Sequence, residues 1–372
     1  MDTGECPWGR CRLAFARRDS LTHLRERSPD NTLSAGLAQR SGVLVFHIFN
    51  LNAHITAVRR WALAAEGALS FDALTYRATV TVGTRSVALI PKFSFRTPTD
   101  SLAYTNGLTE EAANGFAGWL PYTVKSWPIS TDKIVFKRYC EAHQLRVTPA
   151  WRPHEPALAA DYIVKRRNGS FGQNILGPFR NRQDAPAPEL LDSDYCEAFI
   201  LGRTCKIWYW NAKPVAMEAL ELPHLIGDGR RTLNALATER RGSFDRSYSL
   251  ETSGEMLAWQ GRQADDVVPQ GERVYLDFKF ATPYDVWQLK DRDCLANQSS
   301  ALMDYLHQVG EVLWCGIPES VKNGSVFTVD AILDANDQLW LLEMNSNPMV
   351  HQNCYAPMLD SVFQRGNVGS GE

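Results

Sequence analysis

Two runs of β-forming residues near the C-terminus, Val326–Leu333 and Gln338–Met344, constrain this chain more than any other stretch. Asp334-Ala335-Asn336-Asp337 joins them, and that composition makes a tight turn between antiparallel strands. Strand side chains alternate, so Thr328, Asp330 and Ile332 share one face while Val329, Ala331 and Leu333 share the other. On the second strand, strict alternation groups Leu341, Glu343 and Asn345 against Trp340, Leu342 and Met344. A two-residue loop at Asn336-Asp337 places Asp330 directly across from Glu343, with Cβ atoms about 4.5–5.5 Å apart. Carboxylates that close, in apolar strands, repel and desolvate badly. A divalent cation relieves both problems, and Asn345 adds a third oxygen on the same face. Three hard donors suit Mg²⁺, with Mn²⁺ as the alternative; such an ion completes its shell with water and nucleotide phosphates. The competing reading is a solvated edge hairpin, which the neighbouring Trp340, Leu341 and Leu342 disfavour.

The rest of the chain carries such a site comfortably. Its 372 residues hold 39 basic and 42 acidic side chains, a formal charge of -3, and 44% are hydrophobic. This is an ordinary globular composition, long enough for two or three domains. The near balance of charge argues against a nucleic-acid partner bound by bulk phosphate neutralisation. Val43–Phe49 and Trp61–Ala68 are too short to span a bilayer, so no membrane partner is expected. The N-terminus has no secretory pattern, and the eight scattered cysteines read as thiols of a cytoplasmic protein. Cys6 and Cys11 lack the second pair that a zinc site needs.

Pattern divides the chain into a mobile arm over 1–42, with a short helix around Leu21–Arg27, and an α/β domain over 43–128. There Val43–Phe49 reads as a strand, Ile55, Val58, Trp61, Ala62 and Ala65 recur at helical spacing, and Ala78–Val82 and Ser86–Ile90 flank a Gly83-Thr84 turn. A central subdomain follows over 129–194: a helix from Asp132 to about His143, the strand Asp161–Lys165, and the loop Asn168–Gly172. The subdomain over 195–358 opens with Cys196–Leu201, Thr204–Trp210 and Pro214–Leu222, which read as an antiparallel meander. A short helix starts at Thr232–Leu236, Arg240–Gln270 reads as a flexible insertion, Arg273–Phe280 as a strand and Leu295–Val312 as a helix. Residues 359–372 form a tail.

Glu343-Met344-Asn345-Ser346-Asn347-Pro348 following Asp330 resembles the metal-binding end of the ATP-grasp superfamily. Asp132-Lys133 is similar to the helix start of that family. Asp161–Lys165 with Gly169-Ser170-Phe171-Gly172 resembles its lysine strand and phosphate lid, and Glu197–Gly202 its adenine-side strand. Leu222–Leu233, with Gly227-Asp228-Gly229, and His351 resemble the cyanophycin-synthetase branch. Arg166 stands where the family often has proline. Thr328 stands where D-alanine–D-alanine ligases have an arginine, which points away from a D-alanine ligase. The chain also lacks the P-loop ligase half of cyanophycin synthetases and so looks like a stand-alone ligase.

The resemblance implies an α/β (α+β) ATP-grasp fold, two subdomains clasping ATP behind a small N-terminal domain. It implies a peptide-type ligase: ATP phosphorylates a carboxylate, and an amine displaces phosphate from the acylphosphate, releasing ADP. In that scheme Asp330, Glu343 and Asn345 hold Mg²⁺, while Lys133, Lys165, Gly169, Ser170, Phe171, Gly172, Glu197 and Leu342 bind ATP, Glu197 through adenine or ribose. Lys206 and Arg203 steady the acylphosphate, and Asn347, His351 and Arg231 face the substrate, an amino acid or peptide in natural-product biosynthesis. Dimers are common in that family, so a homodimer is an expectation. A phosphotransferase on the same nucleotide site, or a non-catalytic nucleotide- or peptide-binding module, is the alternative.

Overall fold

Gly83, at φ +57°, and Thr84 turn the chain back between Val82 and Arg85, and glycine supplies the left-handed backbone that this two-residue turn requires. The computed structural model describes residues 51–96, 102–107, 115–152, 160–168, 175–181, 190–191, 193–240, 248–280, 282 and 292–364. All of them belong to one compact unit, Gly42–Glu372. The arm, Val43–Phe49, Cys6 and Cys11 lie outside the described residues, as does the lid Gly169–Gly172.

Residues 51–64 form helix α1. Strands β1 (Ala68–Phe71), β2 (Ala78–Val82), β3 (Arg85–Arg96), β4 (Leu102–Thr105) and β5 (Gly115–Leu120) make an antiparallel sheet. β3 is longer than the expected Ser86–Ile90 because its second half pairs with both β4 and β5. Val58, Ala62, Val80, Leu89, Phe116 and Trp119 form the core of this layer.

Helix α2 (Lys133–Ala142) starts where expected, because the Asp132 carboxylate accepts the amide hydrogens of Ile134 and Val135 at 2.9 and 3.2 Å. Behind it, β6 (Ala150–Trp151), β7 (Tyr162–Arg166), β8 (Leu176–Phe179) and β9 (Asp194–Ala198) form a sheet in the order β6-β9-β7-β8. A third sheet has the order β11-β10-β14-β15: β10 (Gly202–Trp210), β11 (Lys213–Leu220), β14 (Val326–Asp334) and β15 (Leu339–Asn345). The expected three-strand meander is therefore split. β9 pairs with β6 and β7, and residues 199–201 carry the chain to the next sheet.

The 240–270 stretch is also reassigned from 248 onward; 241–247 lie outside the described residues. Tyr248, Leu250, Leu257 and Val268 pack with Leu225, Leu233, Val274 and Leu276 into a separate small core. That core is framed by β12 (His224–Ile226), α3 (Leu233–Glu239), α4 (Gly254–Trp259) and a short β13 (Arg273–Tyr275). A few apolar residues dispersed among charges carry no readable period, which hid it. Helix α5 (Ser300–Cys315) begins later than expected, because Ser299 caps it through Leu302 N after a 3-10 turn at Leu295–Asn297. Its Gly310 meets the β10–β11 turn so closely that a Cβ would stand 2.1 Å from the Ala212 carbonyl oxygen. A short α6 (Glu319–Lys322) leads into β14. Helix α7 (Tyr355–Gln364) crosses the point where a tail is expected and buries Tyr355, Met358 and Leu359 against α1 and the first sheet.

The third sheet thus has two unlike faces. Cys205, Ile207, Tyr209, Val329, Ala331, Leu333, Leu339, Leu341 and Met344 meet α2 and α5 on one side. The opposite face packs Trp208, Trp210, Ala216 and Val326 toward the N-terminal layer. The charged residues begin just beyond them.

Candidate active site

Asp330 stands opposite Glu343 on β14 and β15, the pairing that the hairpin pattern predicts. The route to it differs. Leu333 pairs with Leu339 and the Asp334 amide donates to the Gln338 carbonyl, so the turn holds three residues, with Asp337 at φ +55°. One residue further along, Ala331 faces Leu341 while Asp330 faces Glu343, which leaves Leu342 as the extra residue of a β-bulge. The bulge resets alternation. Leu341 and Met344 both enter the core, whereas Glu343 and Asn345 turn toward Asp330. Leu342 itself is a half-buried bulge residue, and that explains why strict alternation misassigns Leu341.

One ladder level runs through the whole sheet: Glu218 on β11, Lys206 on β10, Asp330 on β14 and Glu343 on β15. Lys206 Nζ donates to Asp330 Oδ1, and Asn345 Nδ2 donates to Asp330 Oδ2 at 3.3 Å. Lys133 Nζ reaches down from α2 to Glu343 Oε2 at 2.8 Å. Burial pushes the Asp330 carboxyl above the usual range, with Glu343 adding to the rise and Lys206 opposing it. Burial also works against ionised Glu343, but Lys133, Lys165 and Lys206 outweigh it and hold that group below the usual range.

One helical turn along α2 from Lys133, Lys137 points the same way, as i and i+4 residues do. Lys137 and Lys165 grip the two oxygens of Glu197 at 2.8 and 2.6 Å, and Tyr195 donates to the same carboxylate at 3.3 Å. Lys165 and Glu197 are diagonal neighbours on β7 and β9, close enough for a lysine to span. Glu197 is 1% exposed, and despite burial the two lysines bring its pKa down to about 2. It therefore lies behind Lys165 as a counter-ion, with both oxygens engaged, and not open to adenine or ribose as expected. Lys137 escapes the sequence reading because a lysine inside an amphipathic helix looks like a solvated one; only its buried contacts, including Thr148, reveal it.

The remaining expected residues divide. His351 packs against Trp208 with ring centroids 5.0 Å apart and planes tilted by 50°, and lies 4.0 Å from Glu218, at the far end of the charged row. Asn347 is bound to the Lys125 backbone in both directions, which makes it a loop anchor. Arg203 is three residues from Lys206 on one strand and so on the opposite face, where it pairs with Asp337 in the turn. Arg231 is held by Asp228 and Glu239 in the separate small core region. The structure thus brings together Asp330, Glu343, Asn345, Lys133, Lys165, Glu197 and Lys206. It does not bring Arg203 or Arg231 to them.

The N-terminal layer, to which sequence gives no role, reaches the site through Lys92 and Tyr104. Lys92 is fully buried, donates to the Pro348 carbonyl below the Asn345–Pro348 loop, and lies 3.9 Å from the Tyr104 ring. Burial pulls Lys92 well below the ordinary lysine range. Burial, with Asp330 nearby, raises the Tyr104 phenol. Thr328, opposite Asn345, is fully buried, and its hydroxyl has no hydrogen-bond partner among the described residues.

The donor set fits a hard cation. Two carboxylates and one amide converge, and no group of three or more His, Cys, Asp or Glu among the described residues forms a complete cage. An incomplete oxygen set is what Mg²⁺ takes when phosphates and waters supply the rest. Among the described residues no helix is long and apolar enough to cross a membrane. Cys140, Cys196, Cys205, Cys294, Cys315 and Cys354 are free thiols.

No protein-family model matches the chain, and no curated protein matches it in sequence. Among solved structures it is similar to a bifunctional glutathione synthetase from Pasteurella multocida, at 14% identity and TM-score 0.41, covering 82% of this chain and 44% of that one. It is also similar to a D-alanine–D-alanine ligase from Bacillus anthracis, at 11% identity and TM-score 0.35, over 65% of this chain and 70% of that one. The ATP-grasp ligase PsnB, complexed with a minimal precursor, aligns at 11% identity and TM-score 0.33, over 63% and 60% of the two chains. The chain spans less than half the length of the glutathione synthetase. The mixed α/β class, with several antiparallel sheets, is the fold class expected from the sequence.

Proposed function

We propose that this chain is an ATP-dependent carboxylate–amine ligase that joins an amino acid or peptide to an amine through an acylphosphate and releases ADP. The observation that carries the reading is the facing pair Asp330 and Glu343, with Asn345 beside it and lysines on both flanks. Carboxylates flanked by lysines are the two halves of a phosphoryl-transfer site: oxygens for a cation and cations for phosphates.

Asp330, Glu343 and Asn345 would hold Mg²⁺, which when bound neutralises phosphate charge. Lys133, paired with Glu343, and Lys165, paired with Glu197, would supply the positive charge that the phosphates meet. Lys206, paired with Asp330, would hold the departing phosphate as the amine attacks. Glu197, gripped from its other side by Lys137, fixes the direction of the buried Lys165. His351, at the far end of the row beside Glu218, would meet the amine substrate.

Hydroxylamine trapping tests the reaction class. With Mg²⁺, ATP and a pool of the twenty common amino acids, a ligase yields an amino-acid hydroxamate together with ADP. ADP formation without hydroxamate points instead to phosphoryl transfer onto a hydroxyl. No nucleotide turnover at all supports a binding module.

A further inference from the structure

Each metal-binding carboxylate proposed above already has a lysine of its own. Lys206, one strand over at the same ladder level, binds Asp330; Lys133, from α2, binds Glu343. Asp330 and Lys206 side chains are 20% and 21% exposed, and Glu343 and Lys133 are 17% and 13% exposed, so neither pair is an ordinary solvated surface contact. The two carboxylates and two lysines sum to no net charge. A divalent cation entering alone would have to displace both ammonium groups and then sit beside two uncompensated lysines in a poorly solvated cleft. A triphosphate changes that balance, because it offers both lysines a new anionic partner while it brings oxygens to the cation.

We propose that the site takes its divalent cation only together with a nucleoside triphosphate, with Lys206 as the resident counter-ion that keeps the free cation off Asp330. The idea rests on the metal assignment of the preceding section. Metal and nucleotide affinities are then coupled, and by linkage each raises the other equally. Lys206 is the informative member of the quartet. It is fixed to Asp330 by strand register, whereas Lys133 reaches Glu343 from helix α2.

Mn²⁺ alone is the probe, with free ion measured by electron paramagnetic resonance on the full chain, with and without a non-hydrolysable ATP analogue. Without the analogue, Lys206→Met is expected to bind Mn²⁺ about tenfold or more tightly than the parent, an effect of about 1.4 kcal/mol or more. The tightening that the analogue produces should shrink by the same factor. Lys206→Gln, which keeps a polar contact to Asp330, should change affinity in the same direction and guards against a folding defect in the Met variant. Nucleotide-free affinities within twofold of the parent in both variants overturn the inference. Asp330→Asn separates the two layers of argument: Glu343, Asn345 and the phosphates remain, so analogue-dependent Mn²⁺ binding should weaken about tenfold or more. If it stays within about twofold of the parent, the metal assignment has failed, and not merely the role of Lys206.

Discussion

Asp330 lies directly across the β14–β15 ladder from Glu343, and that opposition costs the protein stability that it does not need for folding. Burial and the facing carboxylate raise the Asp330 pKa, which means that its ionised form works against the native state near neutrality. Asp330→Asn should therefore keep or slightly raise the melting temperature while ATP turnover falls by about 10²–10³-fold or more. Calorimetry beside an ADP-release assay checks both halves. A large drop in melting temperature would show that the carboxylate is structural.

Lys137→Met should do the reverse. Glu197 is buried and shared by Lys137 and Lys165, so removing one lysine leaves a partly compensated interior charge. The expected loss is about 3–5 kcal/mol, read by urea unfolding. Adding Glu197→Gln to Lys137→Met should recover part of it, because no buried anion then remains unpaired.

His54 gives the stability a pH dependence. It is buried between Phe116 and Trp119, its Nδ1 lies 2.6 Å from the Tyr355 hydroxyl, and burial lowers its pKa to about 3. The unfolded chain takes up a proton near the ordinary 6.5 while the folded one does not. Stability is therefore complete above that value and declines as pH falls toward about 3, by up to about 1.4 kcal/mol per pH unit. His54→Gln can still meet Tyr355 but cannot charge, so its unfolding free energy should be flatter over this window.

The bulge is tested by two adjacent leucines. Leu341 is fully buried in the main core and Leu342 is only half buried at the bulge. Leu341→Ala should cost about 2–5 kcal/mol and Leu342→Ala clearly less. Equal costs, or the reverse order, would mean that β15 keeps strict alternation.

How far the sequence reveals this site follows from which interactions are local. Asp330 opposite Glu343 is legible because a short turn links the two strands and fixes their pairing. Asp132 is legible as a cap for the same reason, since its partners are the next few amides. The bulge at Leu342 is not, because an extra turn residue and an extra strand residue cancel at Asp330 and leave the expected pair in place. Lys137, Lys92 and Tyr104 are invisible in sequence, since Lys137 meets Glu197 and Lys92 meets Pro348 across long stretches of chain, and Tyr104 meets Lys92 only once β4 is paired with β3. Arg203 is close to Lys206 in sequence, but the three-residue separation sets it on the other face of β10. The small core around Leu225, Leu257 and Val268 is not legible in sequence because its apolar residues are too dispersed to show a period.

The most direct test compares the parent chain with Glu343→Gln, supplied with Mg²⁺, ATP, the twenty common amino acids and hydroxylamine, with nucleotide and hydroxamate products followed together. The account predicts ADP and hydroxamate in equal amounts from the parent, and neither from a variant that circular dichroism shows to be folded. AMP as the product, or undiminished turnover in Glu343→Gln, would contradict it.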